Sequence, residues 1–206
     1  LVGSEMCIRD RHRTTAAALI GIEEVPAQVV IADVKEQAAA FRAINAQTTE
    51  VSTLLAFRAA VASGDAEAIK VVDAFAAAGV VILTYPKALA RGLKSNETVA
   101  LKAAQRMVDA LGPTGTSIAV RALRGGPNGG GPNDFPGALC AVSFLGLTWA
   151  LSERKAWLAD ELSLTLALCD FPLPDHLDAP KSRHATKQQL MAEAIAHHLD
   201  EWEPEQ

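Results

Sequence analysis

The sequence predicts an α+β protein that is predominantly helical. Hydrophobic residues make up 50% of the 206 and aromatics only 5%, so the apolar share rests on Ala, Val and Leu. That balance suits packed helices better than a sandwich of branched and aromatic strands. Only two runs, Val25 to Ile31 and Val80 to Tyr85, are branched enough to read as strands. Elsewhere apolar residues recur at helical spacing between capping residues and glycines.

Taken in order, Arg13 to Ile20 is an Ala-rich helix ended by Gly21, and Pro26 places the strand after it at an edge or entry position. Asp33 and Glu36 form a capping-box pair opening a helix that carries Phe41 and Ile44 inward and ends near Asn45. A third helix spans Val51 to Ser63, with Leu54, Phe57 and Val61 on one face and Gly64 as its stop. Asp65 caps a fourth, whose face is Ile69, Val72 and Phe75, before Gly79. Ser95 or Asn96 opens the next, closed by Gly112-Pro113. Pro136 to Leu151 is apolar on every face and reads as a buried central helix. One further helix runs through Trp157, Leu162 and Leu166 to Cys169, and Pro172 and Pro174 break the chain after it. A last amphipathic helix from Ala185 to Trp202 presents Met191, Ile195, Leu199 and Trp202.

With 24 acidic and 19 basic side chains the net charge is -5, which gives no global attraction toward nucleic acid. Cys7, Cys140 and Cys169 form no CxxC pair, so the expected setting is a reducing, cytoplasmic one. The most apolar stretch is broken by Gly137 and Gly146 and falls short of the roughly 20 residues a membrane span needs, so no membrane partner is expected.

Few residues suggest chemistry. His12-Arg13-Thr14 stands at the first turn of an Ala-rich helix, where unpaired N–H groups and an arginine fork suit a phosphate. On motif grounds alone a solvated pair explains the same residues. The loop over 124–133 is rich in Gly, Pro and Asn, lacks the lysine of a phosphate loop, and reads as a flexible surface loop. Arg121 and Arg124 flank it and read as ordinary surface charge, since two arginines make no stripe. His197-His198 offers one imidazole per helix face, so weak contacts with Glu193 and Glu201 are expected rather than a metal. Asp160-Glu161 and Glu23-Glu24 are adjacent and point apart, which makes neither an acid/base dyad.

The run from His12 through Gly21 to Val25-Pro26 and Val30 resembles the second half of a ParB/sulfiredoxin-type domain, which carries Asp-Gly-x-His-Arg, an Ala-rich helix, a glycine and a Val-Pro strand. Ala40 to Asn45, Phe57-Arg58-Ala59 and Gly64-Asp65 are similar to a ParB-like family of phages and actinobacteria. The resemblance implies an α+β domain remnant followed by a helical domain. It assigns nucleotide phosphate binding to Arg13, with His12 and Thr14 beside it, and CTP or ATP as the ligand.

Residues 1–11 resemble translated sequencing adapter and are expected to be non-native, with the domain's opening strands lying upstream. Positions 9 to 11 accordingly read Arg9, Asp10 and Arg11, where the motif has Asp, Gly and a variable residue. The expected division is a partial ParB-like domain with its following helices over 12–90, then a helical domain over 91–206. Three functions stay open: a nucleotide-binding accessory factor of phage or bacterial DNA metabolism, with DNA as a partner of the full-length protein; a ParB-like nuclease; and a protein-interaction module without catalysis. A native cysteine before His12 would bring in sulfiredoxin chemistry.

Overall fold

The structure, a computed structural model, describes residues 15–22, 24, 31–48, 53–83, 92–180, 182 and 185–203. Contacts divide the chain into two units, Leu1–Asp33 and Val34–Gln206. In the first, residues 15–19 are helical. Gly21 N–H donates to Ala18 O at 3.2 Å and Ile22 N–H to Ala17 O at 2.9 Å, the paired bonds that close a helix at a glycine. Of the strand expected over Val25 to Ile31, all but Ile31 lies outside the described residues, and Ile31 is irregular.

The second unit opens with α1 (Val34–Thr48), which starts directly after Asp33 and runs three residues past Asn45. The side chains of Phe41 and Ile44 lie outside the described set. Next, α2 (Thr53–Ala62) buries Phe57, with Leu54 and Val61 half-buried against the core. Gly64, at φ +77°, lets the chain turn back, and Asp65 N–H donates to Ala60 O at 3.0 Å. The same Asp65 then caps α3 (Ala66–Ala76) by accepting the Ala68 N–H at 3.0 Å. The buried face of α3 is Ala68, Val71 and Phe75, so Ile69 and Val72 are turned further out than their spacing suggests.

A parallel pair joins β1 (Val81–Ile82) to β2 (Glu97–Thr98), with Val81 opposite Glu97. This corrects the expected helix start at Ser95 or Asn96. Thr98, fully buried, donates its hydroxyl to Leu139 O at 2.7 Å and accepts the Ala100 N–H at 3.1 Å. Its β-branched side chain therefore holds an extended segment where local capping signals had pointed to a helix. Helix α4 (Leu101–Arg124) follows, broken at Gly112 (φ 73°, ψ 169°). Gly112-Pro113 is thus a kink: Pro113 restarts the helix at once, and Ala119, Val120 and Leu123 anchor the second half.

Helix α5 (Ala141–Ser152) is central, as its composition suggests, with Phe144, Leu147 and Leu151 sealed from solvent, but it starts five residues later than expected because residues 136–140 are irregular turn and bend. Phe75 of α3 meets Phe144 edge-on, ring centres 5.2 Å apart. The single helix expected through Trp157 and Cys169 is instead a 3₁₀ turn (Lys155–Ala159) and α6 (Glu161–Asp170), separated by Asp160, which caps α6. Leu164, Ala167 and Leu168 face inward, while Leu162 and Leu166 are exposed. Pro172 and Pro174 flank the start of a short α7 (Leu173–Asp178). Finally α8 (Lys187–Glu201) opens with a full capping box between Thr186 and Gln189 and buries Met191, Ile195 and Leu199.

α5 and α8 lie side by side and run the same way, because Gly146 meets Met191 near one end and Arg154 holds Asp200 at the other. A Cβ on Gly146 would collide with Met191 Cγ and sit 2.8 Å from its Cβ and 3.3 Å from Ala192 N. Those atoms are close to the backbone and cannot swing away. Gly146→Ala should therefore destabilise by about 1–2 kcal/mol, because overpacking outweighs the roughly 1 kcal/mol gained in helix propensity. Urea unfolding checks this, and an increase in stability would contradict the close approach.

Candidate functional site

His12, Arg13 and Thr14, the predicted phosphate contacts, lie outside the described residues, as does Cys7. They precede in sequence the helical segment 15–19.

The loop beyond α4 is irregular, as its glycines and prolines dictate, and it is tied down by its own polar groups. Arg124 is 4% exposed. Its Nε donates to Asp134 Oδ1 at 3.0 Å and its Nη1 to Ala78 O at 2.9 Å. Asp134 Oδ2 accepts the Gly130 N–H at 2.8 Å, and Gly131 N–H donates to Arg124 O at 2.9 Å. Asn133, also buried, donates Nδ2 to Leu168 O and Phe171 O at 2.6 and 3.0 Å. A side chain on Gly129 would strike both Asp134 and Arg124. With Gly125, Gly126 and Gly129 also donating to carbonyls, five of the loop's amides serve the protein's own oxygens, and no phosphate cradle is formed from them.

Arg121 is half-buried and likewise engaged within the protein. Its Nε and Nη2 grip Glu161 at 2.6 and 2.7 Å, and Nη1 reaches Ala77 O at 3.2 Å. The reading of Arg121 and Arg124 as ordinary surface charge is corrected: each guanidinium fork is filled by a carboxylate and carbonyls from distant elements. Nothing in the sequence spacing signals partners 10 to 46 positions away.

An open cleft of about 580 Å³ lies at the C-terminal ends of α6 and α8. Phe171, His176, His197, His198, Glu201 and Trp202 are among its walls. His176 stacks flat on Phe171, ring centres 4.8 Å apart, and His198 meets the same ring edge-on at 5.4 Å. His198 Nε2 is 2.7 Å from Ala167 O, and since a carbonyl only accepts, Nε2 carries the proton. Trp202 donates its indole N–H to Asp170 at 2.9 Å. His197 pairs with Glu201 at 3.0 Å, the helix-surface contact expected of it. Sequence reasoning found His197 and His198 but missed His176 and the cleft, because Phe171 and His176 are brought to α8 by tertiary packing alone.

Local hydrogen bonding explains the shifted acids. The Arg121 guanidinium holds Glu161 below the usual carboxylate range and is itself raised in return. Asp160 is lowered by the Ser163 N–H and hydroxyl that it caps, so this adjacent acidic pair points two ways and forms no dyad. Burial pushes the half-buried Cys169 thiol up. Among the described residues no three His, Cys, Asp or Glu side chains are grouped to hold a metal ion. The chain matches no protein-family model, no curated protein and no solved structure.

Removing Arg124 strands Asp134 in a nearly closed site, so Arg124→Ala should cost about 3–5 kcal/mol in chemical unfolding, against about 1 kcal/mol for an exposed pair. Glu161 sets a pH dependence. A carboxylate held low in the folded state stabilises above its unfolded pKa and loses that contribution as pH falls through the folded one. Glu161→Gln should therefore lower stability by about 1 kcal/mol at pH 7. The gap between variant and wild type should close below about pH 4. Urea midpoints at pH 7 and pH 3 report it; an equal gap at both would exclude the ion pair as the cause.

Proposed function

We propose that this protein is a nucleotide-binding accessory factor of the ParB-like kind, working in phage or bacterial DNA metabolism. The observation that carries the reading is the run His12-Arg13-Thr14 set before an Ala-rich helix, with a glycine and Val25-Pro26 beyond it. The helical residues 15–19, closed at Gly21, support it, since the motif needs a helix there. Arg13 supplies the planar fork that takes two phosphate oxygens at once, and His12 and Thr14 add donors on either side.

A second reading is an interaction module without catalysis. Leu19, Ile20 and Ile31 favour it, because these large aliphatic side chains are 75% or more exposed.

Calorimetric titration with CTP and with ATP separates the two. Binding of either nucleotide, weakened about tenfold by Arg13→Ala, is the expected result, the scale of one charge-assisted hydrogen bond. If neither nucleotide binds, the phosphate-site reading is wrong. Metal-dependent DNA cleavage abolished by a His12 substitution would point to the ParB-like nuclease instead.

A further inference from the structure

The cleft lies where two helices end. α6 stops at Asp170 and α8 at Glu201, and the two ends are joined by the Trp202 indole on Asp170 and by His198 on Ala167 O. Each helix C-terminus carries the negative end of its dipole, and at α6 Ala167 O and Leu168 O already accept from His198 and Asn133. Glu201 and Glu203 add two carboxylates to the lining, which contains no lysine or arginine. Three imidazoles share the lining: His197 pairs with Glu201, His198 donates to Ala167 O and His176 stacks on Phe171, which leaves the Glu203 carboxylate facing the cleft without an imidazole contact among those described. Phe171, Pro172 and Ala194 give the same cleft an apolar wall, and Trp202 an aromatic one. Methylene stems pack on such walls while their charged heads reach the carboxylates and the ring face.

We propose that this cleft binds a lysine or arginine side chain presented by a protein partner. Charge complementarity selects a cation, and the apolar wall selects one carried on a long aliphatic stem. The cleft is open along one side and its roughly 580 Å³ exceeds a single side chain, so it accepts a residue still attached to its polypeptide. This site is independent of the nucleotide-binding reading, which rests on other residues.

The test is a ¹H–¹⁵N titration of the chain with acetyl-Gly-Lys-Gly-Arg-Gly-amide and, separately, with the peptide carrying Glu at both charged positions. The basic peptide should shift the Trp202 indole N–H and the Ala194 amide, and the acidic peptide should leave both in place. A Glu201→Gln, Glu203→Gln double variant should bind the basic peptide about fivefold more weakly, the scale of two exposed ion pairs. Both side chains are exposed, so the variant keeps its fold and its spectrum verifies that. The proposal fails if the basic peptide moves neither signal at millimolar concentration, if the acidic peptide moves them equally, or if the double variant binds unchanged.

Discussion

The buried pair between Arg124 and Asp134 is the constraint on which the rest of the second unit depends. Arg124 is the last residue of α4, and its guanidinium reaches back to the carbonyls that end α3. Asp134 takes the other side of the fork and, through Gly130, folds the glycine-rich loop onto it. One residue earlier, Asn133 fastens that loop to the end of α6. Three helix ends therefore meet around one charged pair, those after α3 and α6 capped by side-chain donors and that of α4 by loop amides. Desolvating two charges is costly, and the cost is offset here by the number of hydrogen bonds that converge on them.

Glycine follows from the same geometry. With Gly125 and Gly131 packed backbone to backbone and Gly129 against the ion pair, a Cβ at any of the three would meet atoms closer than 3 Å. The composition of residues 124–133 correctly signals irregular structure, yet the glycines answer a demand for close approach. A run of Gly and Pro looks alike in both cases, since the partners that demand it, Arg124 and Asp134, are visible only once the chain is folded.

The same division separates what was legible from what was not. Helix ends depend on neighbours within four residues, so Gly64, Asp65 and the start of α8 are readable directly. Helix faces depend on what lies opposite. In the Ala- and Leu-rich segments several stripes are apolar, and periodicity cannot choose between Ile69/Val72 and Ala68/Val71 beside Phe75, or between Leu162/Leu166 and Leu164/Leu168. Packing chose the second of each pair. Thr98 and Leu139, 41 residues apart, make the same point for the short strand pair. The candidate sites differ in the same way: His12-Arg13-Thr14 is proposed from contiguous sequence and lies outside the described residues, whereas the cleft is assembled from α6, α7 and α8 and has no sequence signature.

Where the arginines go bears on function. Arg42 holds Asp65, Arg121 holds Glu161, Arg124 holds Asp134 and Arg154 holds Asp200. A fork that already grips both oxygens of a carboxylate, as Arg121 and Arg154 do, has no second set of donors in that plane for a phosphate. In a chain of net charge -5, pairing these cations internally leaves carboxylates such as Glu201 and Glu203 to shape the outer field. The anion site proposed at Arg13 is accordingly a local motif, and the C-terminal half is better suited to receive positive charge than to supply it.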